Sequence, residues 1–223
     1  MTAVVDWGRR EYLPALEAMR ALVRDRRAGR IPDTLFLVEH PPVVTVGVQG
    51  DDGSAAASGL PVVPVERGGH ATYHGPGQQV GYPIVDLSAR GSDVRRFVHE
   101  LEEIAIRTVG SFGVRARHVE GRRGVWVDGE RKIASVGVAV DHWVTFHGFA
   151  LNVNVDLSEF QRLRPCGFDG SVMTSLAREL GRPVSLVDVR PALLAAWSDL
   201  FEARLPQGPG APAAAVAPTS AAR

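Results

Sequence analysis

The chain contains one lysine and one cysteine, and both residue types do chemistry that their common substitutes cannot. Lys132 lies in the stretch GERKIASVG (129–137), and all the other basic residues among the 25 Lys and Arg are arginines. Cys166 lies in LRPCGFDG (163–170). A thiolate is a nucleophile, and a lysine that loses solvation can exchange protons near neutral pH. The two residues are therefore candidates for nucleophilic catalysis with proton transfer.

The position of Lys132 in a predicted β-hairpin decides which way its side chain points. Asp128-Gly129 favours a two-residue turn, which would pair Val125 with Lys132. Strand alternation then predicts that Lys132 shares the more apolar face of the hairpin with Val125, Val127, Ala134, Val136 and Val138. Loss of solvation on that face would favour the neutral amine, which can act as a base. The alternative is a surface lysine whose aliphatic stem covers apolar residues.

Pro165 and Gly167 place Cys166 in a predicted loop. A loop ahead of a helix favours an exposed thiol, and a cation nearby makes such a thiol a better nucleophile. Lys132 is the candidate cation. The alternative is a small buried apolar residue, which is the commonest fate of a free cysteine.

A third candidate is the Gly-rich stretch ERGGHATYHGPGQQVGYP (66–83). Its glycines permit positive φ angles and close approach of a ligand to the backbone. Polar side chains accompany the glycines, at Arg67, Thr72, Tyr73, His74 and Gln78. The stretch predicts a ligand-binding turn, and the alternative is a pair of turns that only link strands. His74, or His147 in FHGFALN (146–152), could also be a base for the cysteine, which keeps Cys-His catalysis open.

The elements around these candidates favour the α+β class, with strands in the middle of the chain, helices on its flanks and no βαβ rhythm. Strand patterns include residues 34–40 and 43–47, and residues 51–60 are predicted as a loop. Helical spacing predicts helices at 10–28, from a cap at Ser92 or Asp93 to Gly110, at 171–180 and at 189–203. The first of these helices is predicted to bury Leu13, Leu16, Met19, Leu22 and Val23. Residues 1–205 are expected to form a single catalytic domain, and the Ala/Pro-rich residues 206–223 a disordered tail.

Composition and charge argue against several classes of protein. Lys and Arg total 25 and Asp and Glu total 25, so a charge-driven partnership with nucleic acid or an anionic membrane is not expected. No apolar run reaches transmembrane length, and the N-terminus lacks the apolar core of a signal peptide. One cysteine cannot form an internal disulfide or a structural zinc cluster, and neither a P-loop nor an HExxH motif is present. A cytoplasmic protein without a metal site is therefore expected.

Several stretches together resemble one family, the lipoyl(octanoyl) transferases of lipoate biosynthesis. The resemblance extends over residues 10–202 and is specific because RGG-x-x-T-x-H-x-PGQ, K-I-A-S and P-C-G occur in this order. The matching stretches are LVEHPPVVTVG (37–47), ERGGHATYHGPGQQVGYPIVDL (66–87), GVWVDGERKIASVGVAV (124–140), FHGFALNVNVDL (146–157) and RPCGFDG (164–170).

The resemblance implies a biotin/lipoate protein ligase-like fold, in which a mixed central β-sheet is flanked by helices. It implies octanoyl transfer from octanoyl-acyl carrier protein to a lysine of lipoyl domains, such as those of 2-oxoacid dehydrogenases and the glycine cleavage H protein. Cys166 would take the acyl group as a thioester, and Lys132 would assist as acid and base. No cofactor or metal is implied, and the chain is expected to act as a monomer. The acyl-binding positions of the family fall on Arg67, Gly68, Gly69, His70, Ala71, Thr72, Tyr73, His74, Ser135, Val136, Gly137, Gly148, Phe149 and Ala150.

Three other functions compete with octanoyl transfer. A lipoate– or biotin–protein ligase would share the fold, consume ATP and need no acyl-accepting cysteine. A non-catalytic protein that binds acyl carrier or lipoyl domains would tolerate loss of Cys166, and a Cys-His thioesterase would release free octanoate.

The surface that binds the donor could be the Arg-rich run RALVRDRRAGR (20–30), since acyl carrier protein is acidic. The alternative is that this run is a solvated helix end.

Overall fold

A mixed seven-stranded sheet forms the centre of the fold in the computed structural model, which describes residues 2–162 and 170–201. Within those ranges the strands are β1 (Ala3–Arg9), β2 (Thr34–Glu39), β3 (Val43–Val46), β4 (Val62–Pro64), β5 (Ala71–His74), β6 (Gln78–Ile84), β7 (Ala116–Val119), β8 (Arg122–Val127), β9 (Arg131–Asp141) and β10 (Val144–Asn152). The large sheet has the order β1-β2-β6-β10-β9-β8-β7, and a separate three-stranded sheet has the order β4-β3-β5.

Five α-helices lie in the described residues, and three of them are long. They are α1 (Tyr12–Arg27), α2 (Ser54–Ala57), α3 (Val94–Gly110), α4 (Leu176–Leu180) and α5 (Leu186–Phe201). The Asp93 side chain caps α3 by accepting the Arg96 N–H at 2.9 Å, as the sequence predicts.

The boundaries of the shorter helices differ from the predictions. Residues 51–60 contain α2 where a loop is predicted, and the helix predicted at 171–180 begins only at Leu176, because Ser175 caps it. Leu13 was predicted to be buried but is 57% exposed, since it lies on the outer side of α1.

The first strand was missed by the sequence analysis, and it changes the topology. β1 pairs in parallel with β2, and α1 connects the two strands. One βαβ unit therefore begins the fold, although none was predicted. The remaining pairings of the large sheet are antiparallel, so the sheet is mixed and the predicted α+β class is confirmed.

The two faces of the large sheet bury different cores. On one face, α1 packs through Leu16 and Met19 against β6 and β10. On the other face, α3 and α5 pack through residues such as Leu101 and Trp197. The small sheet lies beside the α1 face, and its strand β5 carries the Gly-rich stretch. A ligand site on the α1 side is therefore bounded by both sheets.

Candidate functional site

A cavity of about 220 Å³ lies on the α1 side of the large sheet. Apart from Ala71 and Tyr73, all the predicted acyl-binding residues line it: Arg67, Gly68, Gly69, His70, Thr72, His74, Ser135, Val136, Gly137, Gly148, Phe149 and Ala150. The structure thus brings three separated stretches of the sequence to one place. The structure gives the positions of these residues, and their role in acyl binding remains a prediction.

Ala71 and Tyr73 lie on the opposite side of β5 from the cavity. Strand alternation sends the side chains of Thr72 and His74 towards the cavity and those of Ala71 and Tyr73 away from it. Tyr73 packs edge-on against Phe160 with ring centroids 5.3 Å apart. The side chains of Ala71 and Tyr73 therefore pack in a hydrophobic cluster on the side of β5 that faces away from the cavity.

Two glycines of the large sheet, Gly137 and Gly148, line the cavity, and each is in close contact with a neighbouring backbone. A Cβ on Gly148 would overlap the Gly81 carbonyl, and a Cβ on Gly137 would lie 2.9 Å from the Gly68 carbonyl. Val136 and Phe149 pack their side chains into the core on the other face of the sheet, so they contribute backbone to the cavity. The missing side chains therefore let the backbones of Gly81 and Gly68 pack closely against β10 and β9 beside the cavity.

Arg67 organises the Gly-rich loop from inside. Its guanidinium donates to the carbonyl and hydroxyl oxygens of Thr45 at 2.8 Å each, and to the carbonyl of His70 at 3.0 Å. The Gly68 N–H donates to the Val138 carbonyl at 3.0 Å and ties the loop to β9. Arg67 is 7% exposed, so its positive charge is held inside the cavity wall by backbone carbonyls.

His147 adopts a backbone conformation that strands rarely contain. Its φ is +55° in the middle of β10, which is the left-handed region. Its ring Nδ1 lies 3.5 Å from the Tyr12 hydroxyl, and its Nε2 lies 3.4 Å from a carboxylate oxygen of Glu66. The strained residue therefore aims its imidazole into the cavity, and such strain is often found at functional sites.

The buried histidines around the cavity are held neutral. Burial lowers the pKa of His74 to about 3, with a further contribution from His40, and burial also lowers the pKa of His40 and His147 to about 4. Burial raises the pKa of the Tyr12 phenol, so that group stays protonated. At neutral pH the cavity thus presents neutral rings beside the Arg67 guanidinium.

These depressed pKa values predict a loss of stability in mild acid. Each histidine binds a proton in the unfolded chain below pH 6.5 but resists it in the fold until about pH 4, so stability is complete above pH 6.5 and declines as the pH falls. The expected loss is about 2 kcal/mol per histidine at pH 5. Urea unfolding at pH 7.5 and pH 5 measures it, and His40→Asn should reduce the pH dependence. His142→Asn, at an exposed turn, is the control, and an equal reduction there would contradict the interpretation.

Lys132 is buried, with 2% of its surface exposed, but it does not lie on the predicted face. The hairpin has three turn residues, 128–130, so Lys132 pairs with Trp126 and not with Val125. A β-bulge at Ile133 then places both Ile133 and Ala134 in the α3-side core. Lys132 instead lies on the face of Trp126 and Ser135, the cavity side, and its Nζ is 5.6 Å from the Trp126 ring. The predicted face was wrong because the sequence does not reveal the bulge.

Gly124 and Glu102 support Lys132 from β8 and α3, and the sequence analysis missed both. Gly124 has a φ of +95°, and a Cβ built there would overlap the Ala134 carbonyl and lie 2.6 Å from Lys132 Cε. The Gly124 N–H donates to Glu102 Oε1 at 2.6 Å, and the other oxygen of this buried carboxylate lies 3.0 Å from His118 Nδ1. Only glycine leaves room for the lysine chain in this backbone conformation.

A chain of buried hydrogen bonds links the cavity to the strand that carries Lys132. His74 Nδ1 lies 2.7 Å from Gln78 Oε1, and the Gln78 amide donates to Asn152 Oδ1 at 2.9 Å. The Asn152 amide donates to the Thr174 carbonyl at 2.9 Å, and the Thr174 N–H donates to the Lys132 carbonyl at 2.9 Å. His74 is therefore tied into a structural network, and its neutral ring fits that role.

Cys166 lies outside the described residues, so its distance from Lys132 is not defined. The described residue Met173, seven positions later, forms a parallel bridge with Lys132. Before the gap, Phe160 packs its backbone against Gly170, where a Cβ would overlap the Phe160 carbonyl. Met173 and Thr174 are thus joined to the strand that carries Lys132.

The described residues contain neither a metal-binding cluster nor a helix that could cross a membrane. Across residues 2–162 and 170–201, no group of three or more His, Cys, Asp or Glu side chains is arranged to hold a metal ion. In the same ranges, no helix combines the length and apolar character needed to cross a membrane.

Solved structures define the fold class. The chain superposes on a lipoate-protein ligase A bound with ATP with a TM-score of 0.67 at 17% identity, covering 90% of this chain and 85% of that one. It superposes on P. falciparum LipL1 in complex with lipoate with a TM-score of 0.71 at 14% identity, covering 93% of this chain and 64% of that one. The fold is therefore that of the lipoate and biotin protein ligases, as expected.

Sequence comparisons identify the family, whereas the solved structures show only the fold. The family model of the lipoyl protein ligase A/B catalytic domain matches residues 11–198. An octanoyltransferase of Geobacter sulfurreducens is 45% identical over 206 residues, covering 92% of this chain and 87% of the relative. One of Rubrobacter xylanophilus is 45% identical over 199 residues, covering 85% and 89%. The chain therefore belongs to the lipoyl protein ligase A/B catalytic-domain family and is a transferase of the octanoyltransferase group.

Proposed function

We propose that this chain transfers an octanoyl group from octanoyl-acyl carrier protein to a lysine of a lipoyl domain, through a thioester on Cys166. The observation that carries the proposal is the buried Lys132, which lies on the cavity side of the sheet and forms a bridge with Met173, seven residues after Cys166 in the sequence. The octanoyltransferases that match the chain support the acyl group, and the bipartite lipoate ligase solved with its lipoyl domain supports the class of acceptor.

In the first step, the Cys166 thiolate attacks the carbonyl carbon of the donor thioester. The bond from that carbon to the carrier's sulfur breaks, and the departing thiolate takes a proton from the Lys132 ammonium. The products are an octanoyl thioester on Cys166, a free carrier thiol and a neutral Lys132 amine.

In the second step, the amine of the acceptor lysine attacks the Cys166 thioester. The neutral Lys132 removes the proton that this nitrogen must lose, an amide forms, and Cys166 departs as a thiolate. The starting charges are restored, and no ATP is consumed because a thioester is converted to a more stable amide. A lysine suits both steps because it can give and regain a proton, whereas arginine stays charged.

The cavity suits the acyl chain. The apolar residues Val80 and Ala150 contribute to its walls, and Gly137 and Gly148 line it without side chains. Neutral histidines there avoid the desolvation cost of ionised groups beside a hydrocarbon.

Intact-mass measurement tests the thioester route. The purified chain is mixed with octanoyl-acyl carrier protein without ATP, and apo lipoyl domain is then added. We expect one octanoyl adduct that is absent in Cys166→Ala and that passes to the lipoyl domain. Activity that instead needs octanoate and ATP would make the chain a ligase. Octanoate released without an acceptor would make it a thioesterase.

A further inference from the structure

The hairpin of β7 and β8 carries a concentration of positive charge. Residues 115–123 read RARHVEGRR, which places four arginines against the single carboxylate of Glu120. All four arginine side chains are exposed: Arg115, Arg117, Arg122 and Arg123. The chain as a whole has no net charge, so this surface is a local departure from its average. We call these four residues the arginine hairpin.

The arginine run on α1, which the sequence analysis considered for donor binding, is surrounded by carboxylates, whereas Arg117 and Arg122 of the arginine hairpin donate to the backbone carbonyls of Asp128 and Gly129. Its guanidinium groups are used in ion pairs within the fold, such as Arg26 with Asp33 at 2.7 Å and Arg30 with Asp25 at 2.5 Å. Arg20 pairs with Glu66 at 2.5 Å, and Arg27 lies 3.6 Å from Asp141. Neighbouring carboxylates therefore offset most of the charge of that run, which weakens it as a docking surface.

The arginine hairpin lies at the mouth of the cavity. Gly121, Arg122 and Arg123 line the cavity, and Arg123 Nη1 is 3.3 Å from the position of a Cβ built on Gly68. An anion held by these two arginines would therefore lie beside the Gly-rich loop.

Arg122 also lies near Lys132, because both side chains approach the ring of Trp126. Its guanidinium carbon lies 5.3 Å from the centroid of the Trp126 ring, and Lys132 Nζ lies 5.6 Å from the same centroid. Trp126 is fully buried, so the exposed arginine and the buried lysine both lie close to one ring. A ligand whose anionic part contacts Arg122 can thus send an extended, uncharged arm towards Lys132.

We infer that the arginine hairpin is the docking surface for the acyl donor, an acidic carrier domain whose acyl thioester is attached through a phosphodiester-linked arm. Arg122 and Arg123 bind the phosphodiester at the mouth, and Arg115 and Arg117 face the carboxylates of the carrier. This inference rests on the proposed function, since it assumes that the acyl group arrives on a carrier.

The experiment compares three donors on the double variant Arg122→Gln/Arg123→Gln. The donors are octanoyl-acyl carrier protein, octanoyl-phosphopantetheine and octanoyl-pantetheine. The second lacks the carrier protein, and the third lacks both the carrier protein and the phosphate. We expect the ratio of kcat/KM for the carrier donor to that for octanoyl-pantetheine to fall about tenfold, with a weaker dependence on salt. The ratio of kcat/KM for octanoyl-phosphopantetheine to that for octanoyl-pantetheine should also fall, but by a smaller factor, because this donor keeps the phosphate and lacks the carrier.

The matched control is Arg95→Gln/Arg182→Gln, which removes two exposed arginines that belong neither to the arginine hairpin nor to the run on α1. An unchanged ratio in the hairpin variant, or an equal fall in the control, would overturn the inference. An equal loss with all three donors would also overturn it, because the arginines would then act inside the cavity. If the unmodified chain transfers an octanoyl group from none of the donors, the proposed function fails instead, so the two failures are distinguishable.

Discussion

Lys132→Arg is expected to reduce turnover by about two to four orders of magnitude while the chain remains folded. The positive charge that favours a thiolate is retained, but arginine does not release its proton near neutral pH. Both steps of the proposed reaction need a proton to move on and off this residue. The second step should suffer more, because it begins with the neutral amine.

Single-turnover measurements separate the two steps. Octanoyl adduct formation on Cys166 and its passage to the lipoyl domain are followed by intact mass, and the passage should be slowed more. Because Lys132 is 2% exposed, the larger guanidinium could also disturb packing, so Lys132→Met supplies a second variant with a side chain of similar size and no charge. Arg95→Lys makes the reverse exchange on an exposed helix position and is the control. Turnover within threefold of the unmodified chain in Lys132→Arg would refute the acid–base role.

Gly124→Ala should lower kcat by about one to two orders of magnitude with a smaller change in KM. The added methyl group would overlap the Ala134 carbonyl and press on Lys132 Cε, and the φ of +95° would itself cost about 1–2 kcal/mol with a side chain. Lys132 would then move away from its position beside Trp126. A loss confined to stability, with kcat unchanged in the folded fraction, would contradict this expectation.

A matched glycine separates backbone strain from displacement of the lysine. Gly113 has a φ of +86°, but a Cβ there would meet nothing within 4 Å, so Gly113→Ala should cost only the backbone strain and leave kcat unchanged. Glu102→Gln gives an independent test. Its amide oxygen can still accept the Gly124 N–H, so the neutral side chain should preserve kcat better than Glu102→Ala, in which the bond at 2.6 Å is lost. Circular dichroism checks folding in each variant.

The general outline could be predicted from the sequence because apolar spacing and caps are local signals. Helix α3, with its Asp93 cap, and strands β2 and β3 were found in this way. The strand β1 was missed, because its residues alternate poorly: it lies at the edge of the sheet with Val4 and Val5 partly exposed. Most of the residues that the resemblance names for acyl binding line the cavity, and their binding role stays a prediction. Ala71 and Tyr73 do not line it, which strand alternation could have indicated.

The placement of Lys132 depended on features that no local pattern contains. Lys132 and Ser135 are three residues apart, so a regular strand would send them to opposite faces. The bulge at Ile133 brings both to the cavity side, and the sequence around it carries no glycine or proline that marks it. Glu102, Tyr12 and Asn152 were missed for a related reason, since each becomes part of the site only through contacts with distant strands. Such contacts are a property of the tertiary structure.

The two outer strands of the large sheet also bear on how copies of this chain meet one another. An open edge can add a strand from a second molecule, which leads to aggregation. β1 has a register shift between Asp6 and Arg9, and β7 has one between Arg117 and Val119. On β7, the exposed Arg117 would also meet like charges if two copies approached edge to edge. Both edges are therefore kinked, which leaves a second copy no straight strand to extend.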